Sequence, residues 1–165
     1  SVARMRRLME QLSRDSKAPA SSSVRMRDVV EKAVKRSRNR EPVPDVRFEC
    51  GEVYLKADPD RLAVVIEHLI RNAQEATKPD GSIEVSATDD GGIAVIVISD
   101  RGCGMSAEFI SERLFRPFDS TKSSESMGIG AYQAREYARM LGGHHEVRSE
   151  VGKGTTFSMR LPVSD

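Results

Sequence analysis

A chain of 165 residues with 38% hydrophobic content can bury one substantial core and is short for two domains. Its 26 Lys and Arg against 25 Asp and Glu leave a formal charge of +1, so no global field favours nucleic acid or an anionic membrane as a partner. Two cysteines, Cys50 and Cys103, are too few for a disulfide framework and too isolated for a zinc site. No run approaches the roughly 18 apolar residues of a spanning helix, and the N-terminus lacks the apolar core of a signal peptide. The expectation is a soluble cytoplasmic piece, compatible with a longer parent anchored in the inner membrane.

In residues 1–17, Met5, Leu8, Met9 and Leu12 recur at helical spacing among Arg and Glu, which predicts an amphipathic helix whose apolar stripe needs a partner. The Pro and Ser of residues 18–23 read as a linker and place a boundary near residue 20. A helix is expected over 27–38, then short strands over 46–50 and 53–57. Asp58-Pro59 supplies an N-cap and a favoured first helical residue for a long packed helix carrying Leu62, Val65, Ile66, Leu69, Ala73 and Ala76. Strands over 82–88 and 93–99 flank the turn Asp90-Gly91-Gly92, and the second is apolar enough to be central. Residues 101–128 read as a long functional loop with one short helix over 107–114. A helix over 130–141 ends at Gly142-Gly143, and two strands follow around the turn Val151-Gly152-Lys153-Gly154. The fold class is α+β: a two-layer α/β sandwich with a mixed, mainly antiparallel sheet and helices on one face.

Four segments carry chemistry. His68, Asn72 and Glu75, spaced by four and three, form a polar stripe on the long helix, and an Asn oxygen is a hard donor suited to Mg²⁺. Asp100-Arg101-Gly102-Cys103-Gly104 follows the apolar strand. A carboxylate there can accept from an adenine amino group, while glycines let the backbone pass close to the base. Ser126 to Ala131, with Gly128 and Gly130, opens the next helix where unpaired N–H groups suit phosphate. Gly152-Lys153-Gly154-Thr155 closes the set, although each segment taken alone is also an ordinary turn or a solvated face.

In this order, the segments resemble the ATP-binding fold shared by histidine kinases, gyrase, Hsp90-type chaperones and MutL (the GHKL, or Bergerat, fold), over about residues 24–163. The resemblance implies that Asn72 is the Mg²⁺-binding residue of the N box and Asp100 the adenine-binding residue of the G1 box, with Gly102 and Gly104. Gly128 and Gly130 match the G2 box; Gly152, Gly154 and Thr155 match the last glycine box. The segment Leu114-Phe115-Arg116-Pro117-Phe118-Asp119-Ser120-Thr121-Lys122 is similar to the F box and ATP lid of sensor histidine kinases. Phe115 and Phe118 would anchor the lid, Lys122 would reach phosphate, and residues 120–127 would order when ATP binds.

His68 stands where many histidine kinases have a second Asn and the ATPase relatives a catalytic Glu. Hydrogen bonding near Mg²⁺-bound water or phosphate is therefore its expected role. Glu75 replaces a basic residue, which leaves Arg71, Arg116 or Lys122 to meet phosphate charge. The implied protein binds ATP and Mg²⁺, with Asn72, His68 and Lys122 in catalytic roles. It would transfer the γ-phosphoryl group to a histidine on an upstream dimerisation domain, of which residues 1–20 would be the end and linker and residues 21–165 the catalytic domain. Onward transfer to a response regulator receiver domain, a homodimeric parent and a monomeric fragment are further implications. The rival readings are an ATP-hydrolysing conformational switch and a non-catalytic nucleotide-binding module.

Overall fold

A computed structural model describes residues 2–17, 22–115 and 125–164. In chain order the elements are α1 (Val2–Lys17), β1 (Ser22–Arg25), α2 (Met26–Arg36), β2 (Asp45–Glu49), β3 (Tyr54–Ala57), α3 (Pro59–Ala76), β4 (Ile83–Asp90), β5 (Ile93–Asp100), α4 (Ala107–Phe109), α5 (Glu125–Met140), β6 (His144–Glu150) and β7 (Gly154–Pro162). A π-helical turn, Ile110–Leu114, continues α4.

Five strands form a sheet in the order β2-β4-β5-β7-β6, antiparallel except for the parallel β2–β4 pair. The apolar run of β5 takes the centre, because a strand paired on both edges and covered by helices needs few polar side chains. Register aligns Val46, Val85, Ile98, Phe157 and Val147 in one row, and Phe48, Ala87, Ile96, Met159 and His145 in the next. These rows face the helices. The alternate rows, with Glu84, Ser99, Thr156 and Arg148, carry the polar side chains. Met26, Val29, Val30, Ala33 and Val34 of α2 join the core, as do Leu62, Val65, Ile66, Leu69, Ile70 and Ala73 of α3. From α5 come Tyr137 and three alanines, Ala131, Ala134 and Ala138, whose small side chains allow a close approach to α3.

Local signals account for most element ends. Asp58 accepts from the N–H groups of Asp60 at 3.0 Å and Arg61 at 3.3 Å, with Pro59 as the first helical residue. At the end of α5, the N–H of Gly143 bonds to Ala138 and that of Gly142 to Arg139, the paired pattern of a Schellman cap, with Gly142 at φ +84. Gly91 and Gly92, both at positive φ, close the β4–β5 hairpin, which extends to Asp90 and so beyond the expected residue 88.

Three expectations need correction. Ser22 and Ser23, read as linker, belong to β1, which pairs with β3 in a separate two-stranded sheet. Pairing 35 residues away outweighed local Ser content, which is a weak signal against a strand. The helix expected over 107–114 opens under the Ser106 cap but widens into the π-turn. Finally, α5 starts at Glu125 and not at residue 130, so Gly128 and Gly130 lie inside it. Two glycines cost only about 1 kcal/mol each, and no proline interrupts residues 125–140.

Candidate functional site

A third row of the sheet turns polar after Ile83: Ile83, Asp100, Thr155 and Ser149 lie side by side at one end. Asp100 is only 5% exposed. Burial pushes its carboxyl above the usual carboxylate range, against the opposing pull of backbone N–H groups from Gly102, at 2.8 Å, and Thr155. Ser149, which sequence reasoning passed over, is the hub of this end. Its hydroxyl receives the Met105 N–H at 2.7 Å and lies 2.9 Å from the Gly154 carbonyl and 2.7 Å from the Thr155 hydroxyl. Only strand register brings a serine at 149 beside Asp100 and Thr155, so no local motif could have marked it.

The loop after β5 crosses the end of α3 at contact distance. The Cys103 N–H bonds to the Ala76 carbonyl at 3.0 Å, and a Cβ on Gly102 would run into that same carbonyl. Glycine is required at 102 by this approach. Gly104, at φ +71, passes under Glu150, and Gly154 passes under Asp100.

Asn72 projects from α3 toward α5 and is 3% exposed, with neither carboxamide atom in a hydrogen bond among the described residues. An unpaired buried amide costs about 1–3 kcal/mol, so a ligand that satisfied it would be bound with that much advantage. A Cβ on Gly130 would sit 3.1 Å from the Asn72 Nδ2 and 3.3 Å from the His68 Cβ. Gly130 therefore packs α5 onto α3, and its own N–H falls within the regular helical ladder. Gly128 is the fourth residue of α5, one half-turn nearer the start of the helix than Gly130.

One turn before Asn72, His68 places Nδ1 2.8 Å from Oε1 of Gln133 on α5. Burial holds its pKa below the ordinary 6.5, with Arg71 adding to the depression, so the ring is neutral at pH 7. Gln133 is a second residue that the sequence did not flag. Glu75 is met by Arg40 at 3.7 Å. Arg71, one of three residues expected to meet phosphate charge, opens instead into a groove between α2 and α3, on a different face from Asn72. Phe118, Lys122 and Arg116, and residues 120–124 of the expected lid, lie outside the described residues.

Phe115, at the start of the F box, is described. Arg135 of α5 lies over its ring at 4.3 Å, and His145 meets it edge-on at 5.9 Å while stacking on Phe157 at 5.4 Å. The aromatic column thus ties this segment to the sheet. Both nitrogens of His145 are buried without a hydrogen-bond partner among the described residues, and burial, with help from Arg135, lowers its pKa to about 4. Among the described residues no helix is long and apolar enough to cross a membrane.

The family model for histidine kinase-, DNA gyrase B- and HSP90-like ATPases matches residues 57–165. Histidine protein kinase DivJ of Caulobacter vibrioides is 36% identical over 117 residues, covering 68% of this chain and 19% of DivJ. Sensor histidine kinase ZraS of Escherichia coli is 36% identical over 121 residues, covering 72% of this chain and 26% of ZraS. The chain therefore spans about a quarter or less of these relatives. Among solved structures, mycobacterial sensor histidine kinase MprB superposes with a TM-score of 0.74 at 22% identity, over 87% of this chain and 98% of that one. The catalytic domain of histidine kinase ThkA gives 0.69 at 21% identity, over 86% and 95%. With the polar end of the sheet, the α3–α5 contact and the F-box anchor in place, the chain belongs to the histidine kinase-, DNA gyrase B- and HSP90-like ATPase family, as an ATP-binding domain of the sensor histidine kinase kind.

Proposed function

We propose that this domain binds ATP with Mg²⁺ and delivers the γ-phosphoryl group to a histidine on an upstream dimerisation domain. The observation that carries the reading is the buried carboxamide of Asn72, which has no hydrogen-bond partner among the described residues. Its oxygen fits a hard cation that brings its remaining ligands from phosphate and water. Among the described residues no cluster of three His, Cys, Asp or Glu could hold a metal ion alone, which suits an ion that enters with the nucleotide. The ion's contribution would be to neutralise charge on the β- and γ-phosphate oxygens.

The chain's own residues do the positioning. Asp100 accepts from the adenine amino group, while Gly102, Gly104 and Thr155 keep the strand-end loops close to the base. Gly128 and Gly130 let the backbone near the start of α5 approach phosphate, and Phe118 and Lys122 belong to the segment that closes over it. His68, neutral and oriented by Gln133, hydrogen bonds near the phosphates. An acceptor imidazole is nucleophilic near its ordinary pKa of about 6.5, so the domain needs to align the γ-phosphorus and hold charge, and little else. The hydrolytic-switch reading wants a carboxylate on α3 to activate water. Glu67, next to His68 in sequence, lines the α2–α3 groove, where Arg36 meets it at 3.2 Å.

Residues 1–20 are proposed as the end of the dimerisation helix and linker, and a receiver domain as the onward acceptor. The test is incubation of γ-labelled ATP with this chain and a separately supplied dimerisation domain. Label on the dimerisation domain is the expected result. ATP binding without any transfer would refute the kinase reading.

A further inference from the structure

The α2–α3 groove encloses about 580 Å³ and is lined by three arginines from three different segments. Arg36 comes from the last turn of α2, Arg40 from the loop that follows, and Arg71 from the middle of α3. Complementing the α2 dipole explains Arg36, but not Arg40 beyond the helix or Arg71 on another one. Arg36 is paired with Glu67 at 3.2 Å and Arg40 with Glu75 at 3.7 Å, and the two arginine side chains are 45% and 50% exposed. Such half-exposed single contacts are weak and exchange readily. Arg71 makes no ion pair among the described residues. Three cations thus share two carboxylates, and one whole guanidinium fork is left over.

The walls are rigid. Gln74, only 5% exposed, donates its Nε2 to the carbonyls of Ser37 at 2.9 Å, Arg40 at 2.9 Å and Pro42 at 3.3 Å. That amide pins the loop carrying Arg40 against the helix carrying Arg71. The Ser37 hydroxyl is used on the Ala33 carbonyl, at 2.8 Å, to close α2. Both of these neutral groups are spent on holding the backbone; Asn39, Glu67 and His68 also line the groove, and Arg71 is the cation that the two ion pairs do not engage. A planar guanidinium matches two oxygens of a tetrahedral anion, and such charge-assisted pairs are the strong ones.

We propose that the α2–α3 groove is an oxyanion site for a compact phosphate-class dianion, centred on the α2 side of α3, with His68 at its border toward Asn72. Arg71 is its principal ligand, and Arg36 and Arg40 turn from their carboxylates to close on it. The three arginines lie on the α2 side and do not depend on the phosphotransfer reading; His68 is the lining residue that also reaches α5, through Gln133.

Inorganic phosphate is the probe, titrated into the 165-residue chain with ionic strength held constant by chloride, while backbone amide and arginine side-chain resonances are followed by NMR. The expected result is saturable shifts confined to residues 36–40 and 67–74, with Arg71→Gln lowering the affinity about tenfold at unchanged melting temperature. Repeating the titration with a saturating non-hydrolysable ATP analogue separates the sources of phosphate. Retained shifts support a separate site. An analogue that alone reproduces and blocks them assigns the groove to the nucleotide's own phosphates and overturns the proposal. Non-saturating shifts, or equal affinity in Arg71→Gln, mean an adventitious ion only and overturn it as well.

Discussion

Replacing His145 with Phe should remove most of an acid-induced loss of stability that the native chain suffers. The imidazole is stacked on Phe157 and edge-on to Phe115, with both nitrogens cut off from solvent and without partners among the described residues. Burial, and then the Arg135 guanidinium, hold its pKa at about 4 against an ordinary 6.5, while Glu146 acts weakly in the other direction. The unfolded chain therefore binds this proton more tightly than the folded one. Stability is intact above pH 6.5 and declines as the pH falls from 6.5 toward 4. The full loss is about 3 kcal/mol, of which about 2 kcal/mol is already gone at pH 5. Phe keeps an aromatic ring in the column and has nothing to protonate. Urea unfolding of both proteins at pH 7.5, 6, 5 and 4.5 isolates the effect, because carboxylates titrate equally in each. Any packing change from the larger ring shifts the difference by a constant. The slope with pH carries the test: the variant should gain about 2 kcal/mol on the native chain between pH 7.5 and pH 5. A difference that stays flat to within about 0.5 kcal/mol would refute the buried neutral imidazole.

Asp100→Asn should weaken binding of an ATP analogue by about 1–3 kcal/mol in calorimetry, yet leave folding as stable or more so, since burial raises the pKa of this carboxyl and its charge opposes folding above that value. Reduced stability with unchanged affinity would invert the assignment. Asn72→Ala should make nucleotide affinity with and without Mg²⁺ converge, while urea stability stays within about 1 kcal/mol because the lost amide makes no hydrogen bond among the described residues. A surviving Mg²⁺ enhancement would reduce Asn72 to a helix residue. Gly102→Ala should cost about 3 kcal/mol of stability, since the added methyl meets the backbone carbonyl of Ala76, which cannot turn aside. Native-like stability in that variant would mean the crossing over α3 is looser than its geometry.

Wherever the cause is local, the amino-acid sequence by itself determined the outcome. The Asp58-Pro59 cap, the Gly91-Gly92 hairpin and the Gly142-Gly143 stop act within a few residues, and the apolar run of β5 could only be satisfied at the centre of a sheet. Asn72, Asp100 and the glycine segments stood out in the sequence for a related reason: the chemistry proposed for each needs a particular residue type at one backbone position. Tertiary structure decided what depends on pairing across the chain. Ser22 and Ser23 became a strand through β3, Ser149 reached Asp100 through the β6–β7–β5 register, and Gln133 found His68 through the α3–α5 contact that Gly130 permits. Arg71 differs from Asn72 by one residue in sequence, yet a helical step of about 100° turns it away from α5 and into the α2–α3 groove, a side that only the packing of α3 between its two neighbours defines.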